Sequence, residues 1–546
     1  MDVNARLNNA LLRLSKRAEA VDREKLVETF VDTGTLLTLL SSKDHQVIFG
    51  RRGTGKTHAL LYLADVVSRH KDIAVYVDMR SVGSTGGLYA DASLPITERA
   101  TRLLADTLCS IHESLYTAVL ESDDLDLSQL GPPLDQLASA ATEVVVKGPV
   151  DQEIIKEATS ATEISSGVSF GLDKLGPSLK LASDDECKSS ESRLIRSSVT
   201  GEQRHRVHFG AVAKSIGKFA EKMGPRRLWV LLDEWSVVPI DLQPYLADLI
   251  RRALFPVPGL TVKIGAIEQR SNFQLAGSRG DYVGIEIGAD ISADLNLDDF
   301  MVFDNEPARA TDFFRDLLYK HYKSVEADAG VVEGPTSAQQ FVSMVFTQKT
   351  PFEELVTAAE GVPRDAINVL SLCAQRAVKD PISIVHVRSA AKTWYQRDKE
   401  AAVSANPKAS SLLHWIQDKV IAHRRARAFL IRTGRRHDLI DALFDSRVLH
   451  LVKRSVSAHD QPGVRYDVYK IDYGCYVDLL TTQKAPQGLL ALDADADGVS
   501  HIDVPPDDYR AIRRAILDLD EFEQSFPPIQ TTELAVFPPR RNATAP

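Results

Sequence analysis

Apolar residues follow two alternating patterns within residues 45–304. The first is the short apolar run of a buried strand, found at 46–49, 73–78, 228–233, 260–267 and 299–303. The second is the helical spacing of apolar positions, found at 57–64, 97–120 and 242–254. Because strands alternate with helices, this region predicts an α/β fold, a parallel sheet with helices on both faces.

Three neighbouring regions depart from this alternation. Residues 1–44 show helical spacing and are expected to form an N-terminal lead-in. Residues 122–205 break the rhythm within the sheet region and read as an insertion, with a hairpin expected at 165–181. Such an insertion is either an element that binds a partner or senses an effector, or a tolerated surface segment. Residues 305–408 are purely helical, which predicts a helical lid.

The C-terminal part predicts a separate small domain. Residues 409–485 begin with helices and end in two strands, at 448–452 and 465–471, which is typical of a winged helix. Residues 486–546 are expected to form an acidic linker, a short helix near 508–523 and a flexible tail.

Composition limits the class of protein. The chain has 546 residues, of which 44% are hydrophobic and 26% are charged, as in ordinary globular proteins with several domains. No apolar run approaches the ~18–20 residues that span a bilayer, and the N-terminus lacks a signal-peptide core. The four cysteines are scattered without metal-ligand spacing. We therefore expect a cytoplasmic protein without a membrane partner.

A glycine-rich segment links the first strand to the helix that follows it. It consists of Gly50, Arg51, Arg52, Gly53, Thr54, Gly55, Lys56, Thr57 and His58. Glycines let consecutive N–H groups turn toward one point, and the helix N-terminus adds partial positive charge. In such a loop Lys56 reaches the β- and γ-phosphates, and the Thr57 hydroxyl holds Mg²⁺. The segment predicts a site for a nucleoside triphosphate, and the alternative is a turn with a solvated lysine.

A second acidic motif ends the strand at 228–233. Five apolar residues lead into Asp233 and Glu234, as in a buried parallel strand whose carboxyl end reaches a site. Asp233 is placed to help hold Mg²⁺, and Glu234 to orient or deprotonate an attacking water. Together with the glycine-rich loop, the pair predicts slow hydrolysis of the nucleotide.

One arginine in the helical region has a fixed position. The sequence from Gly361 to Arg364 has a proline after a glycine break, which starts a helix and sets Arg364 in its first turn. From a lid, such an arginine can contact the γ-phosphate, whereas an isolated arginine is more often a surface residue.

These motifs, in this order, resemble the AAA+ ATPases, closest to the origin-recognition-like replication initiators and their bacterial relatives. The resemblance spans roughly residues 25–480 and implies binding of ATP and Mg²⁺. It places Phe30, Val31 and Asp32 beside the adenine and makes Arg364 the second sensor residue. The first sensor position falls on Glu268, where the family has a small polar residue. A carboxylate there either argues against sensing of the γ-phosphate or assigns this role to Gln269 or Arg270.

The resemblance also bears on assembly. Arg251 and Arg252 end the helix after the acidic strand and suit a finger reaching a neighbouring subunit. Two arginines in a last helical turn equally suit the helix dipole.

A basic cluster stands out because the chain as a whole has a net charge of −10. Residues 421–454 contain nine Lys or Arg residues against three acids. Arg424, Arg425, Arg435 and Arg436 are therefore candidates for contact with the backbone of duplex DNA. The alternative is a protein-docking surface whose arginines pair with the acidic C-terminus.

Two functions remain open. In one, the protein is an ATP-driven switch that binds DNA through the winged helix, in a replication, mobile-element or genome-defence context. In the other, it is a signalling or scaffold ATPase that forms a homo-oligomer on ATP and docks protein partners.

Overall fold

The computed structural model describes most residues between 3 and 525. Outside the description lie 1–2, 19–20, 33, 83–88, 90, 92, 123, 143, 148–170, 174–175, 179–201, 206, 278–279, 301–306, 327–333, 423–426, 434–436, 458–462, 482–514 and 526–546. The chain forms two compact units, unit 1 (Met1–Ile384) and unit 2 (Val385–Pro546). This division assigns residues 385–408, predicted as part of the lid, to unit 2.

Unit 1 contains eleven strands among its described residues. They are β1 (Gln46–Phe49), β2 (Ile73–Asp78), β3 (Val144–Lys147), β4 (Gly171–Asp173), β5 (Gly176–Ser178), β6 (Glu202–His205), β7 (Leu228–Asp233), β8 (Leu260–Ala266), β9 (Gln274–Ala276), β10 (Tyr282–Gly284) and β11 (Ser292–Asn296). Five of them form one parallel sheet in the order β11-β1-β8-β7-β2. The predicted parallel sheet is confirmed.

Helices surround this sheet and continue beyond it. They are α1 (Val3–Leu12), α2 (Arg23–Thr29), α3 (Leu36–Leu40), α4 (Lys56–Arg69), α5 (Ile96–Leu120), α6 (Leu127–Ala141), α7 (Phe209–Lys222), α8 (Gln243–Leu249), α9 (Leu297–Phe300), α10 (Pro307–Glu326), α11 (Ala338–Val345), α12 (Lys349–Ala359) and α13 (Pro363–Ala377). A π-helical segment, Ile250–Leu254, continues α8. Helices α10 to α13 agree with the helical pattern expected for the lid.

Helices cover both faces of the sheet. On one face, Val47 of β1 joins a core with Leu103 of α5 and Leu134 of α6. On the other face, Ile48 of the same strand packs with Leu60 of α4. Because side chains alternate along a strand, neighbouring residues of β1 serve two separate cores. This arrangement confirms the predicted cover on both faces.

The fifth strand of the sheet lies earlier than the sequence predicts. The expectation of a strand at 299–303 is wrong for residues 299 and 300, which lie in α9, and 301–303 are outside the described residues. The strand is Ser292–Asn296, and only Leu295 of it is buried. An edge strand needs few apolar side chains, so the apolar run used as a signal was missing.

The insertion is also shorter than expected. Helix α6 falls within the predicted insertion of 122–205, but its residues Leu130, Leu134 and Leu137 are buried in the main core. The excursion therefore begins after α6. Strands β3 and β6 pair antiparallel at its base, and β4 and β5 form the short antiparallel pair expected within 165–181.

Unit 2 combines helices with a small antiparallel sheet. Its helices are α14 (Ile384–Trp394), α15 (Glu400–Ser404), α16 (Pro407–Trp415), α17 (Asp438–Asp445), α18 (Tyr473–Thr481) and α19 (Leu519–Ser525), with π-helical segments Tyr395–Lys399 and Ile416–Ala422. The strands are β12 (Ala428–Arg432), β13 (Leu449–Ser457) and β14 (Arg465–Ile471), in the order β12-β14-β13. The predicted two-stranded wing is present, and β12 is an additional strand.

A C-terminal segment, residues 515–525, completes this unit. The N–H of Leu430 in β12 donates to the carbonyl of Ala515 at 2.8 Å, and the N–H of Leu517 donates back to Leu430 at 2.9 Å. Leu517, Leu519 and Phe522 are buried in the core of unit 2. Of the short helix expected near 508–523, only residues 519–523 lie in a helix, α19; residues 515–518 are not helical, and residues 508–514 and the tail after α19 lie outside the described residues. None of the helices in the described ranges combines the length and apolarity needed to cross a membrane.

Candidate nucleotide-binding site

The glycine-rich loop lies between β1 and α4, at the carboxyl end of β1. Gly53 and Gly55 have φ values of 88° and 98°, a region that favours glycine. Lys56 Nζ donates to the carbonyls of Gly50 at 2.8 Å and Arg51 at 3.0 Å. Burial lowers the pKa of Lys56, the positive charge of Arg364 adds to this effect, and Asp233 and Glu234 oppose it. The loop thus holds a buried lysine among charged neighbours.

Asp233 is the centre of a hydrogen-bonded group at the end of β7. Its carboxylate is fully buried, and Oδ2 accepts from the Thr57 hydroxyl at 2.6 Å and from the Tyr76 hydroxyl at 2.9 Å. Burial and the charge of Asp233 raise the pKa of Tyr76, which therefore stays a donor. A Cβ on Gly265 of the adjacent strand would lie 2.8 Å from Asp233 Oδ1, so only glycine leaves room for the carboxylate.

Glu234 follows in a strained backbone conformation. It has φ of 55° and ψ of 36°, uncommon for a residue with a Cβ. Its N–H donates to Asp233 Oδ1 at 2.8 Å. The side chain is half-buried and lines the same cavity as the loop. Backbone strain of this kind often accompanies functional sites.

A cavity of about 320 Å³ lies over the loop. Its wall includes Arg52, Gly53, Thr54, Gly55, Lys56, Thr57 and His58 of the loop. Phe30 and Val31 line it as well, and the Phe30 ring stacks on Tyr62 with centroids 3.9 Å apart. The cavity thus extends from the phosphate loop to Phe30.

Arg364 also reaches the loop. It lies in the first turn of α13, and its N–H donates to the Gly53 carbonyl at 3.2 Å. A Cβ on Gly53 would lie 2.9 Å from the Arg364 Cβ and 3.1 Å from Val362. The glycine therefore permits the close approach of the helix, and the structure brings Arg364 to the site.

Three predicted contact residues have other partners. The Arg51 side chain is buried, and its Nε donates to Asp298 Oδ1 at 2.7 Å, away from the cavity wall. Asp32 accepts from the N–H groups of Gly34 and Leu37 and so caps the start of α3. One ring nitrogen of His58 lies 2.7 Å from the Leu26 carbonyl. Arg51 and Asp32 are not among the residues that line the cavity, and their contact with a nucleotide stays a prediction.

The remaining sensor and finger candidates lie outside the cavity wall. Glu268, Gln269 and Arg270 form a single 3₁₀ turn after β8. Arg251 and Arg252 both pair with Asp248, at 3.0 and 2.9 Å. Their proposed roles stay predictions.

Sequence reasoning missed several residues at the site. Tyr76 lies on β2, and Arg80 and His321 line the cavity from distant parts of the chain. No spacing rule links these positions to the loop. Only the apolar alternation of β2, which includes Tyr76 on the face opposite Val75 and Val77, gave a signal.

The four arginines of the predicted DNA patch, Arg424, Arg425, Arg435 and Arg436, lie outside the described residues. Arg427 is described and buried, and its Nε donates to the Ile471 carbonyl at 3.1 Å. It therefore supports the sheet of unit 2 and does not belong to a surface patch.

The parallel sheet and the loop geometry define the class of P-loop α/β proteins. Residues 14–79 match the ORC-CDC6-like family, so the predicted resemblance is confirmed over this segment. No curated protein sequence matches the chain. Among solved structures, the Orc1 protein of Aeropyrum pernix in complex with DNA shows 12% identity and a TM-score of 0.29, covering 87% of this chain and 96% of the other. A likeness at this level supports no inference about a ligand.

Proposed function

We propose that the chain binds ATP with Mg²⁺ in the candidate site and hydrolyses it slowly, as an AAA+ switch. The contact between Thr57 Oγ1 and Asp233 Oδ2, at 2.6 Å, carries this proposal. It joins a loop hydroxyl to a buried carboxylate, which is the pair of oxygen ligands that suits Mg²⁺ beside a phosphate. When bound, Mg²⁺ neutralises charge on the phosphate oxygens.

Each residue of the site has its own role in binding or hydrolysis of the nucleotide. Lys56 leaves its two carbonyl partners to contact the β- and γ-phosphates, while the loop N–H groups bind phosphate oxygens. Glu234 orients the attacking water and accepts its proton. Arg364, held at Gly53, contacts the γ-phosphate and distinguishes ATP from ADP. Phe30 and Val31 contact the base.

Two substitutions test this function. Lys56→Ala removes the charge that contacts the phosphates, so ATP binding should be lost in a fluorescence titration. Glu234→Gln keeps Asp233 and Thr57, so ATP should still bind while phosphate release stops. Glu221→Gln, at an exposed position of α7, is the matched control for loss of one acid and should change neither. Normal phosphate release by Glu234→Gln would refute its assigned role.

For unit 2, the proposed ligand is duplex DNA, bound through Arg424, Arg425, Arg435 and Arg436. The support is that these arginines flank β12, and exposed basic residues lie on the same sheet: Arg432, Lys453, Arg454 and Arg465. Replacing the four arginines with alanine should flatten the salt dependence of binding by about 0.9 units per lost phosphate contact. Binding should weaken about equally for all sequences, and ATP hydrolysis without DNA should persist.

One observation favours the competing function, a scaffold that docks proteins. Helix α17 directly precedes the β13–β14 hairpin, where a DNA-binding winged helix has its recognition helix. It carries Asp438, Asp441 and Asp445 and no basic residue, so DNA phosphates would repel it. The scaffold function would be established by two results together. The protein does not bind duplex DNA at low salt, and its mass, measured by light scattering, increases when ATP is added.

A further inference from the structure

Arg51 connects three segments of unit 1 that are far apart in sequence. Its backbone N–H donates to Asp298 Oδ2 at 2.9 Å, and its Nε donates to Asp298 Oδ1 at 2.7 Å. One terminal nitrogen also lies 3.4 Å from the Glu360 carbonyl. Only 2% of the Arg51 surface is exposed. The guanidinium therefore joins the phosphate loop to α9 and to the end of α12.

The Glu360 contact matters because this residue begins the turn between α12 and α13. Glu360 has φ of 51° and ends α12, Gly361 has φ of 75°, and Val362 caps α13. Two residues later comes Arg364. This turn sets the direction in which α13 starts, and its position decides where the Arg364 side chain lies.

Two of the described contacts attach the turn to the loop. One is the bond from the Arg364 N–H to the Gly53 carbonyl, and the other is the contact of Arg51 with the Glu360 carbonyl. The Arg51 carbonyl itself accepts from Lys56 Nζ at 3.0 Å and from the Thr54 hydroxyl at 2.9 Å. The backbone of Arg51 thus contacts the group that receives the phosphates, while its side chain contacts the turn.

We propose that Arg51 is a positioning residue that couples the phosphate loop to Arg364. It does not touch the nucleotide. It holds the turn 360–362 so that Arg364 faces the site, and Asp298 fixes the plane of its guanidinium. On nucleotide binding, Lys56 leaves the Arg51 carbonyl for the phosphates. Because the Arg51 side chain contacts the turn, Arg51 transmits this change in the loop to the turn. The proposal rests on the proposed nucleotide function.

The direct test compares the affinities for ATP and ADP. Arg51→Lys keeps the charge but cannot hold Asp298 and the Glu360 carbonyl together. We expect ADP affinity to stay within about threefold of the wild type, while the preference for ATP falls about fivefold or more, the lower end of ordinary site coupling. Asp298→Asn should act in the same direction. Arg69→Ala, an exposed arginine at the end of α4, is the control and should leave the preference unchanged.

A double substitution tests whether Arg51 acts through Arg364 or only makes a structural contact. Because Arg51 acts through Arg364, the preference for ATP should fall no further in Arg51→Lys with Arg364→Ala than in Arg364→Ala alone. Additive losses, or equal loss of ATP and ADP binding in the single variants, would overturn the proposal.

A nucleotide-free measurement distinguishes failure of this proposal from failure of the proposed function. Amide hydrogen exchange of residues 360–366 should accelerate in Arg51→Lys without any ligand, since the contact of Arg51 with the Glu360 carbonyl is lost. Unchanged exchange would refute the positioning role even if ATP binds. Absence of ATP binding in the wild type, with accelerated exchange in the variant, would refute only the nucleotide function.

Discussion

At the scale of single residues, His321 is a buried imidazole beside the cavity. It lies 6.5 Å from the ring of His58, measured between centroids. Burial, together with the smaller effect of the nearby His58, lowers its pKa to about 4. The ring is therefore neutral at pH 7 in the folded protein, whereas an unfolded chain binds a proton at this residue below a pH of about 6.5.

This difference predicts a loss of stability in mild acid. Because the unfolded state binds more protons as pH falls from about 6.5 toward 4, the free energy of unfolding should decrease across this range. His321 should account for roughly 2 kcal/mol of the decrease between pH 7 and pH 5. Urea unfolding of His321→Asn should show a shallower pH dependence than the wild type, whereas His70→Asn, at an exposed position, should keep it.

Tyr76 gives a second prediction at this scale. Its hydroxyl donates to the same Asp233 oxygen that Thr57 contacts, so it orients the carboxylate proposed to hold Mg²⁺. Tyr76→Phe should raise the Mg²⁺ concentration required for ATP binding about tenfold, as expected when a supporting hydrogen bond of a metal ligand is lost. Tyr116→Phe, with 41% of the side chain exposed, is the control. An unchanged Mg²⁺ requirement would make Tyr76 a packing residue only.

At the scale of elements, helix α13 connects the helical region to the loop. Arg364→Ala removes the charge near Lys56 but keeps the backbone contact with Gly53. We expect the preference for ATP over ADP to fall about fivefold or more, with a stability change within about 0.5 kcal/mol. Competition titrations measure the first quantity and thermal unfolding the second. If the preference stays as in the wild type, Arg364 is only part of the packing surface.

Strands and helices with a clear pattern of apolar residues were predictable from the sequence. Elements that are partly exposed or contain prolines were not. Strand β1 matches its predicted bounds because all four of its residues are buried. Strand β11 was misplaced because it lies at the sheet edge and is mostly half-exposed. Helix α6 falls in the region assigned to the insertion and contains Pro132 and Pro133, yet its apolar face belongs to the core.

The site shows the same limit. The loop and the Asp233 strand were predictable because a local spacing defines each of them. The partners of Arg51 were not, since Asp298 and Glu360 lie more than two hundred positions downstream and no pattern relates them to the loop. Arg51 and Asp32 were assigned to the nucleotide from their place in a motif, and in the structure their side chains bind Asp298 and the N–H groups of Gly34 and Leu37.

At the scale of the whole molecule, the division into two units predicts that a substitution in the core of unit 2 lowers the stability of that unit without changing nucleotide binding by unit 1. Phe522 is buried in unit 2, where its ring meets Trp415 edge-on with centroids 5.9 Å apart. Phe522→Ala should destabilise unit 2 by about 3–5 kcal/mol, the usual cost of a deleted core aromatic. Nucleotide binding by unit 1 should stay unchanged. Limited proteolysis measures the stability of unit 2, and the protection of unit 1 by ATP measures nucleotide binding. Glu521→Ala, at an exposed position, is the control.

The strand contact between Leu430 and residues 515–517 has a consequence during synthesis. Ribosomes release the chain from its N-terminus at about 5–20 residues per second, so β12 emerges several seconds before the segment that covers its edge. In that interval the edge has unpaired N–H and C=O groups that any extended chain can bind. A message truncated before codon 515 would leave this edge open permanently, and its product would be a substrate for chaperones or proteases.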